Sequence, residues 1–158
     1  MTDAFSLVRL VESRAAGTQY SGAGASGPSP VHMRAVLESY IRNLNDFDPT
    51  FFATAFAENY TYQDPVGAGT LAPHEMSARF HSDFFSIRGA ELSSPISTSF
   101  GRSAAMAFRV FATVEGRDVT LDIVDVVTFD DSGKIVDVQA FWGADNITVG
   151  AETTAGAP

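Results

Sequence analysis

The second half of the chain consists almost entirely of β-strand patterns. After Gly89 come the segments ELSSPISTSF, AAMAFRVFATV, DVTLDIVDVVTF and KIVDVQAFW, which are rich in β-branched and aromatic residues. A DDSGK turn separates the last two segments. The helical patterns lie before this point. Helices first and strands later predict an α+β fold, in which three helices cover one face of a strongly curved antiparallel sheet.

Three segments in the first half have helical spacing. The first begins with Ser29 and Pro30, a serine cap followed by a proline. Its apolar stripe consists of Met33, Val36, Leu37, Tyr40, Ile41 and Leu44. A second short helix begins at Asp48 and covers TFFATAFA, and a third is predicted from about residue 73 to residue 85.

The two ends of the chain have little to pack against. Residues 1–30 combine a short helical pattern, AFSLVRLV, with a Gly, Ser and Pro segment, which predicts a flexible leader with a short helix. Residues 31–149 should form the single domain. The tail, residues 150–158, is of low complexity and is predicted to be disordered.

Composition excludes several functions. The chain has no cysteine, which rules out disulfides, thiolate metal sites and a catalytic cysteine. Its net charge of -9 and lack of basic runs argue against nucleic acid as a partner. No apolar run approaches the ~20 residues that span a bilayer, so we expect a soluble, cytoplasmic protein without a membrane partner. The three histidines lack helical partners, so no metal is expected.

Two acids interrupt the apolar strand TLDIVDVVTF, residues 120–129. Alternation points Asp122 and Asp125 to opposite faces, and Asp122 shares its face with threonines. The residues on the face of Asp125 are all hydrophobic: Leu121, Ile123, Val127 and Phe129. Loss of hydration there raises the pKa of a carboxyl group, so Asp125 is predicted to be a neutral acid that donates a hydrogen bond. The alternative is that Asp125 caps a backbone group or pairs with Arg109.

Asp64 and Tyr40 are the other candidates for chemistry. NYTYQDPVG alternates, which places Tyr60, Tyr62 and Asp64 on one face of a strand that ends at Asp64. Asp64 is either a turn residue or, if it faces the same cavity as Asp125, a charged base beside a neutral acid. Tyr40 points inward from the first helix, either as a core tyrosine or as a second hydroxyl donor.

These motifs, in this order, resemble the bacterial Δ5-3-ketosteroid isomerases. The resemblance covers residues 31–149, about three quarters of the chain, and is dense in four places: SYIRNLNDFDPTFFATAFAENYTYQDPVG, AMAFRVFATVEGRDVTLDIVDVVTFDDSGKI, VQAFW and NITV. That family shares a cone-shaped α+β fold with nuclear transport factor and scytalone dehydratase. It is also a well-known example of a carboxylic acid kept neutral by an apolar site.

The resemblance implies roles for individual residues. Asp64 corresponds to the general base, Tyr40 to the tyrosine of the oxyanion hole, and Asp125 to the protonated acid beside it. Residues implied to bind substrate are Leu44, Phe56, Phe80, Met106, Phe108, Val110, Leu121, Ile123 and Trp142. It further implies a hydrophobic, steroid-like substrate, no cofactor, and a homodimer formed through the outer face of the sheet.

The chain departs from the family at two positions. Some members extend the hydrogen-bond network of Tyr40 with two further tyrosines, whose places here are taken by Phe56 and Phe80. This predicts a weaker, less tightly held Tyr40. Two other functions remain open: epoxide opening or cyclisation, for which Asp125 could serve as the acid, and non-catalytic binding of a hydrophobic small molecule in the same apolar cone.

Overall fold

The computed structural model describes residues 6–18, 27–73, 75 and 85–152. Its α-helices are α1 (Leu7–Ala15), α2 (Pro30–Asn45) and α3 (Phe51–Ala55), and a 3-10 helix spans Ala144–Asn146. Its strands are β1 (Phe56–Gln63), β2 (Thr70–Leu71), β3 (Phe85–Leu92), β4 (Ser103–Val114), β5 (Arg117–Phe129), β6 (Ile135–Phe141) and β7 (Ile147–Glu152). The predicted α+β class is confirmed.

All seven strands belong to one sheet with the order β2-β1-β6-β5-β4-β3. Strand β5 pairs with two further strands besides β4. Its residues 117–121 pair with β7, and its residues 124–129 pair with β6. Every pair is antiparallel except β1 and β6, which run parallel. The sheet is antiparallel as predicted at the other pairs, and the β1–β6 pair departs from that prediction. No hairpin turn connects β1 with β6, so the chain is free to bring them together in parallel.

Helix α2 lies across the concave face of the sheet and packs on β3. It starts where the sequence predicts, because the Ser29 side chain accepts a hydrogen bond of 3.1 Å from the His32 backbone and Pro30 is the first helical residue. At its other end the side chain of Asn45 donates to the Ala90 carbonyl at 2.8 Å and accepts from the Ala90 backbone N–H at 2.9 Å. These contacts fix the helix over the sheet.

The core lies between the helices and one face of the sheet. Helix α2 contributes Met33, Leu37, Tyr40 and Ile41, all buried as the apolar stripe predicts. Every second residue is buried on β4 from Ala104 to Ala112 and on β5 from Asp125 to Phe129, and β1 buries Tyr60 and Tyr62 while exposing Thr61. The predicted alternation of these strands is therefore confirmed, and it directs one set of side chains into the concave face.

Several predicted boundaries differ in the structure. The second helix ends at Ala55, and Phe56 already pairs with Ile135 as the first residue of β1. Strand β7 continues to Glu152, three residues into the predicted tail, and residues 153–158 lie outside the described part. Most of the third predicted helix, with Phe80, also lies outside it. In the leader, α1 forms but buries none of its side chains.

Candidate active site

The carboxyl group of Asp125 is enclosed in the middle of the sheet. Asp125 lies on β5 between Met106 of β4 and Ala140 of β6, and its side chain faces the core with 1% exposure. Neither carboxyl oxygen has a hydrogen-bond partner among the described residues. Buried polar groups are almost always hydrogen-bonded, so an acid without a partner indicates a group that a ligand could satisfy.

The alternative structural role for Asp125 does not fit this geometry. Arg109 Nε donates to Asp122 Oδ1 at 2.8 Å, and these two residues lie opposite each other on the outer face of β4 and β5. Asp125 points the other way. A backbone cap is also ruled out within the described residues, because both oxygens of Asp125 are without a partner there.

Burial shifts the pKa of Asp125. Loss of hydration raises the pKa of its carboxyl group well above the usual value, and the negative charge of Asp64 raises it further. A neutral carboxylic acid carries one hydrogen to donate. The raised pKa favours this protonated form of Asp125, whose side chain faces the core.

The hydroxyl group of Tyr40 forms a hydrogen bond with that of Tyr62. Tyr40 comes from α2 and Tyr62 from β1, and both are buried. Burial raises the pKa of Tyr40 well above its usual value, and the charges of Asp125 and Asp64 contribute in the same direction. Tyr40 is thus a neutral donor near both acids.

Tyr62 is a site residue that the sequence interpretation missed. The prediction of a weakly held Tyr40 rested on two positions, where Phe56 and Phe80 replace tyrosines. Position 62 was not among them. Tyr62 supplies the missing hydroxyl from a different strand position. The signal was present in the sequence, because alternation placed Tyr62 on the same face as Asp64.

Asp64 directly follows β1 and is held by the indole of Trp142. Trp142 Nε1 donates to Asp64 Oδ1 at 2.6 Å. The next peptide bond, Asp64 to Pro65, is cis, and the Val66 backbone bonds the carbonyl of Ala140 at 2.9 Å. Trp142 was predicted only as part of an apolar lining, but its polar edge also orients the carboxylate.

The remaining predicted lining residues are distributed around these groups. On the concave face, Met106, Phe108 and Val110 of β4 are buried, and Leu121 and Ile123 of β5 are partly buried. Leu44 is partly buried near the end of α2. Phe56 packs on Phe51, Phe52 and Tyr60, so that the ring of Phe51 lies between Phe56 and Tyr40. Phe80 lies outside the described residues.

The described residues show neither a metal-binding cluster nor a membrane-spanning helix. They contain no group of three or more histidine, aspartate or glutamate side chains arranged to hold a metal ion. None of their helices is long and apolar enough to cross a membrane.

Comparison with known proteins places this architecture in a family. A family model described as a SnoaL-like domain matches residues 37–138, which is more than half of the chain. The chain belongs to the SnoaL-like family. The sequence resemblance to the steroid isomerase branch of this fold is also supported by one curated relative, the steroid Delta-isomerase of Nocardioides simplex. It is 26% identical over 119 residues, which cover 74% of this chain and 94% of that protein.

A solved structure of the same fold belongs to a different type of enzyme. This SnoaL-like chain matches the epoxide hydrolase/cyclase-like enzyme SalBIII, which acts in pyran ring formation in the polyether salinomycin, with a TM-score of 0.64 and 27% sequence identity. The match covers 74% of this chain and 95% of that one. Relatives of the fold thus include an isomerase and a cyclase-like enzyme, and the choice between these reactions depends on the site.

Proposed function

We propose that this protein is a cytoplasmic, cofactor-independent Δ5-3-ketosteroid isomerase that moves a C=C bond from Δ5 to Δ4 through a dienolate. One observation carries the proposal. Asp125, an acid with a raised pKa and no hydrogen-bond partner among the described residues, is buried together with the phenol of Tyr40, near a carboxylate that the indole of Trp142 orients. A carboxylate can remove a proton next to a carbonyl group, and the two hydrogen-bond donors can stabilise the oxyanion that forms.

The reaction divides between the two sides of the site. Asp64 accepts the C4 proton. The electrons of the broken C–H bond form a C3=C4 double bond, and the π electrons of the carbonyl group move to its oxygen. Tyr40 and Asp125 donate hydrogen bonds to the resulting dienolate oxygen. Asp64 then returns the same proton to C6, which restores the carbonyl group and leaves the double bond conjugated with it. Protons and electrons balance without a cofactor.

The protonation of Asp125 is central to this mechanism. An ionised Asp125 would repel the oxyanion, whereas the neutral form donates to it. Fixed donors in a site without water need no reorganisation during the reaction, and removal of one such donor typically raises the barrier by about 2.7–4 kcal/mol. The burial that raises the pKa of Asp125 is therefore also what makes it useful.

The apolar surroundings indicate the substrate class. Met106, Phe108 and Val110 present hydrocarbon to the same face as Asp125, and Leu121 and Ile123 continue it along β5. A rigid, hydrophobic ketone such as a steroid would gain free energy by burying its rings against these side chains. Its carbonyl oxygen would meet the two donors.

An assay for the conjugated ketone tests the proposed reaction. Adding a Δ5-3-ketosteroid should produce enone ultraviolet absorbance, and Asp64→Asn should reduce kcat about 10²–10⁴-fold because the general base is lost. Asp122→Asn removes an acid on the outer face and should leave kcat within twofold of the original protein. No absorbance change at saturating ketosteroid would refute the proposal.

Epoxide opening or cyclisation is the second candidate, and the similarity to SalBIII favours it. A protonated Asp125 could donate to an epoxide oxygen while Asp64 activates a hydroxyl group or water. The two enzymes can be told apart by supplying each substrate class, since only the isomerase forms an enone. If the protein only binds hydrophobic molecules, both the original protein and Asp64→Asn would bind a steroid without turnover.

We also propose a homodimer formed through the outer face of the sheet. Val124 of β5 and Phe141 of β6 lie directly opposite each other on this face and are 43% and 46% exposed. Neighbouring apolar side chains on a sheet favour burial against a partner. Light scattering should give the mass of a dimer for the original protein and of a monomer for Val124→Glu. Val31→Glu, at an exposed position on α2, is the matched control and should stay dimeric.

A further inference from the structure

The buried tyrosine pair contains a hydrogen that the protein itself does not use. Tyr40 and Tyr62 are 4% and 2% exposed, and among the described residues each hydroxyl has the other as its hydrogen-bond partner. Two hydroxyl groups carry two hydrogens, and one bond between them uses one. The other hydrogen remains available in a site that excludes water, where an unused donor is unfavourable.

The direction of the bond determines which tyrosine presents that hydrogen. Tyr40 lies edge-on to Phe108 of β4, and Phe108 is two residues from Met106, the residue opposite Asp125. The ring of Tyr40 therefore packs on the same face of the sheet as Asp125, and the charge of Asp125 acts on both tyrosines. If Tyr62 donates to the oxygen of Tyr40, the hydroxyl hydrogen of Tyr40 is free to bind a ligand. A ligand oxygen beside Asp125 then receives two hydrogen bonds, one from Tyr40 and one from Asp125.

The pKa values are consistent with this direction. Burial is the largest cause that raises the pKa of Tyr40, whereas the bond from Tyr62 lowers it. Burial is also the largest cause that raises the pKa of Tyr62, followed by the charges of Tyr40, Asp125 and Asp64, and its bond to Tyr40 acts last in the same direction. A phenol that receives a hydrogen bond becomes a stronger donor, because hydrogen bonds in a chain polarise one another.

We propose that Tyr62 is a positioning residue: its hydroxyl donates to Tyr40 and directs the hydrogen of Tyr40 toward a substrate oxygen next to Asp125. The inference rests on the proposed function in taking Tyr40 as the direct donor. It goes beyond that function because Tyr62, from β1, takes over the support that Phe56 cannot give. Tyr62 does not itself touch the substrate.

Removal of the Tyr62 hydroxyl tests this role. Tyr62→Phe keeps the ring and should lower kcat for the ketosteroid about tenfold, with KM changed less than twofold. Tyr60→Phe is the matched control, because Tyr60 lies on the same face of β1, is 8% exposed and packs its ring on Phe56. It should leave both constants within twofold of the original protein.

A second readout does not depend on turnover. 2-Naphthol has a phenolic oxygen that can occupy the place of the dienolate oxygen, and its absorbance reports whether it is bound as naphthol or naphtholate. At a pH where free 2-naphthol is neutral, the bound naphtholate fraction should fall in Tyr62→Phe and stay unchanged in Tyr60→Phe. A purely structural role of Tyr62 would lower the melting temperature without changing this fraction.

A second variant strengthens the hydroxyl of residue 62 as a donor instead of removing it, so the test does not depend on whether Tyr62→Phe folds. Incorporation of 3-fluorotyrosine at position 62 keeps the hydroxyl and makes it a stronger donor, so the naphtholate fraction should rise. An unchanged fraction in both Tyr62 variants would overturn the inference while leaving the isomerase proposal intact. A larger loss of kcat in Tyr62→Phe than in Tyr40→Phe would also overturn it, because Tyr62 would then be the direct donor. If 2-naphthol does not bind, or binds only as neutral naphthol, the two-donor site itself is refuted.

Discussion

Asp125→Asn should change how the stability of the protein depends on pH. In the folded state, burial and the charge of Asp64 raise the pKa of Asp125, whereas in the unfolded chain an aspartate ionises near pH ~4. Above that pH the folded state holds a proton that the unfolded state has released. The contribution of Asp125 to stability is therefore fully present below the unfolded pKa and is lost as the pH rises through the folded pKa.

The size of the effect follows from a single proton. Within the described part of the chain both oxygens of Asp125 are buried without a partner, and the folded state keeps its proton as long as the pH stays below the raised pKa. The free energy of unfolding then falls by about 1.4 kcal/mol for each pH unit between the unfolded-state pKa and the raised folded-state pKa. Asparagine does not titrate, so Asp125→Asn removes this slope and leaves only a constant offset.

Urea unfolding at several pH values measures this slope directly. The original protein, Asp125→Asn and Asp122→Asn should be unfolded between pH 5 and pH 8 at one protein concentration, since association would also change the apparent stability. The free-energy difference between the original protein and Asp125→Asn should change steadily with pH. Asp122→Asn, which removes a carboxylate paired with Arg109 on the outer face, is the control for the loss of one acidic side chain from β5. Parallel curves for the original protein and Asp125→Asn would refute the claim that Asp125 is neutral.

Two further substitutions probe the surroundings of the site and the fold. Trp142→Phe keeps an aromatic ring but loses the 2.6 Å bond to Asp64, so kcat in the enone assay should fall about tenfold; an unchanged kcat would show that the indole does not orient the base. Gly133→Ala should lower the free energy of unfolding by about 2 kcal/mol or more, because Gly133 has a φ of 84° and its new Cβ would lie 2.5 Å from His32 Nε2. Gly116→Ala, with a φ of 77° and nothing within 4 Å, should lose only about 1 kcal/mol, and equal losses in thermal unfolding would argue against the His32 contact.

Local periodicity explains what could be predicted about the acids. Side chains of a strand alternate between its faces, so the separation of Asp122 from Asp125 follows from their positions in the chain. The same rule identified the buried face of β1 and could have identified Tyr62. Phe56 shows the limit of local patterns: TFFATAFA has helical spacing, yet Phe56 pairs with Ile135 in the sheet, because tertiary pairing overrides a weak local preference.

The partners of the site residues were decided by the tertiary structure. The amino-acid sequence by itself determined the α+β class, the cap of α2 and the apolar neighbours that raise the pKa of Asp125, since these depend on residues close together along the chain. It could not determine that Trp142 bonds Asp64, 78 residues away, or that Tyr62 bonds Tyr40, 22 residues away. Such contacts depend on the order in which strands assemble and on how α2 crosses them. Hydrogen bonds act over about 3 Å, so only the folded chain determines which donors meet which acceptors.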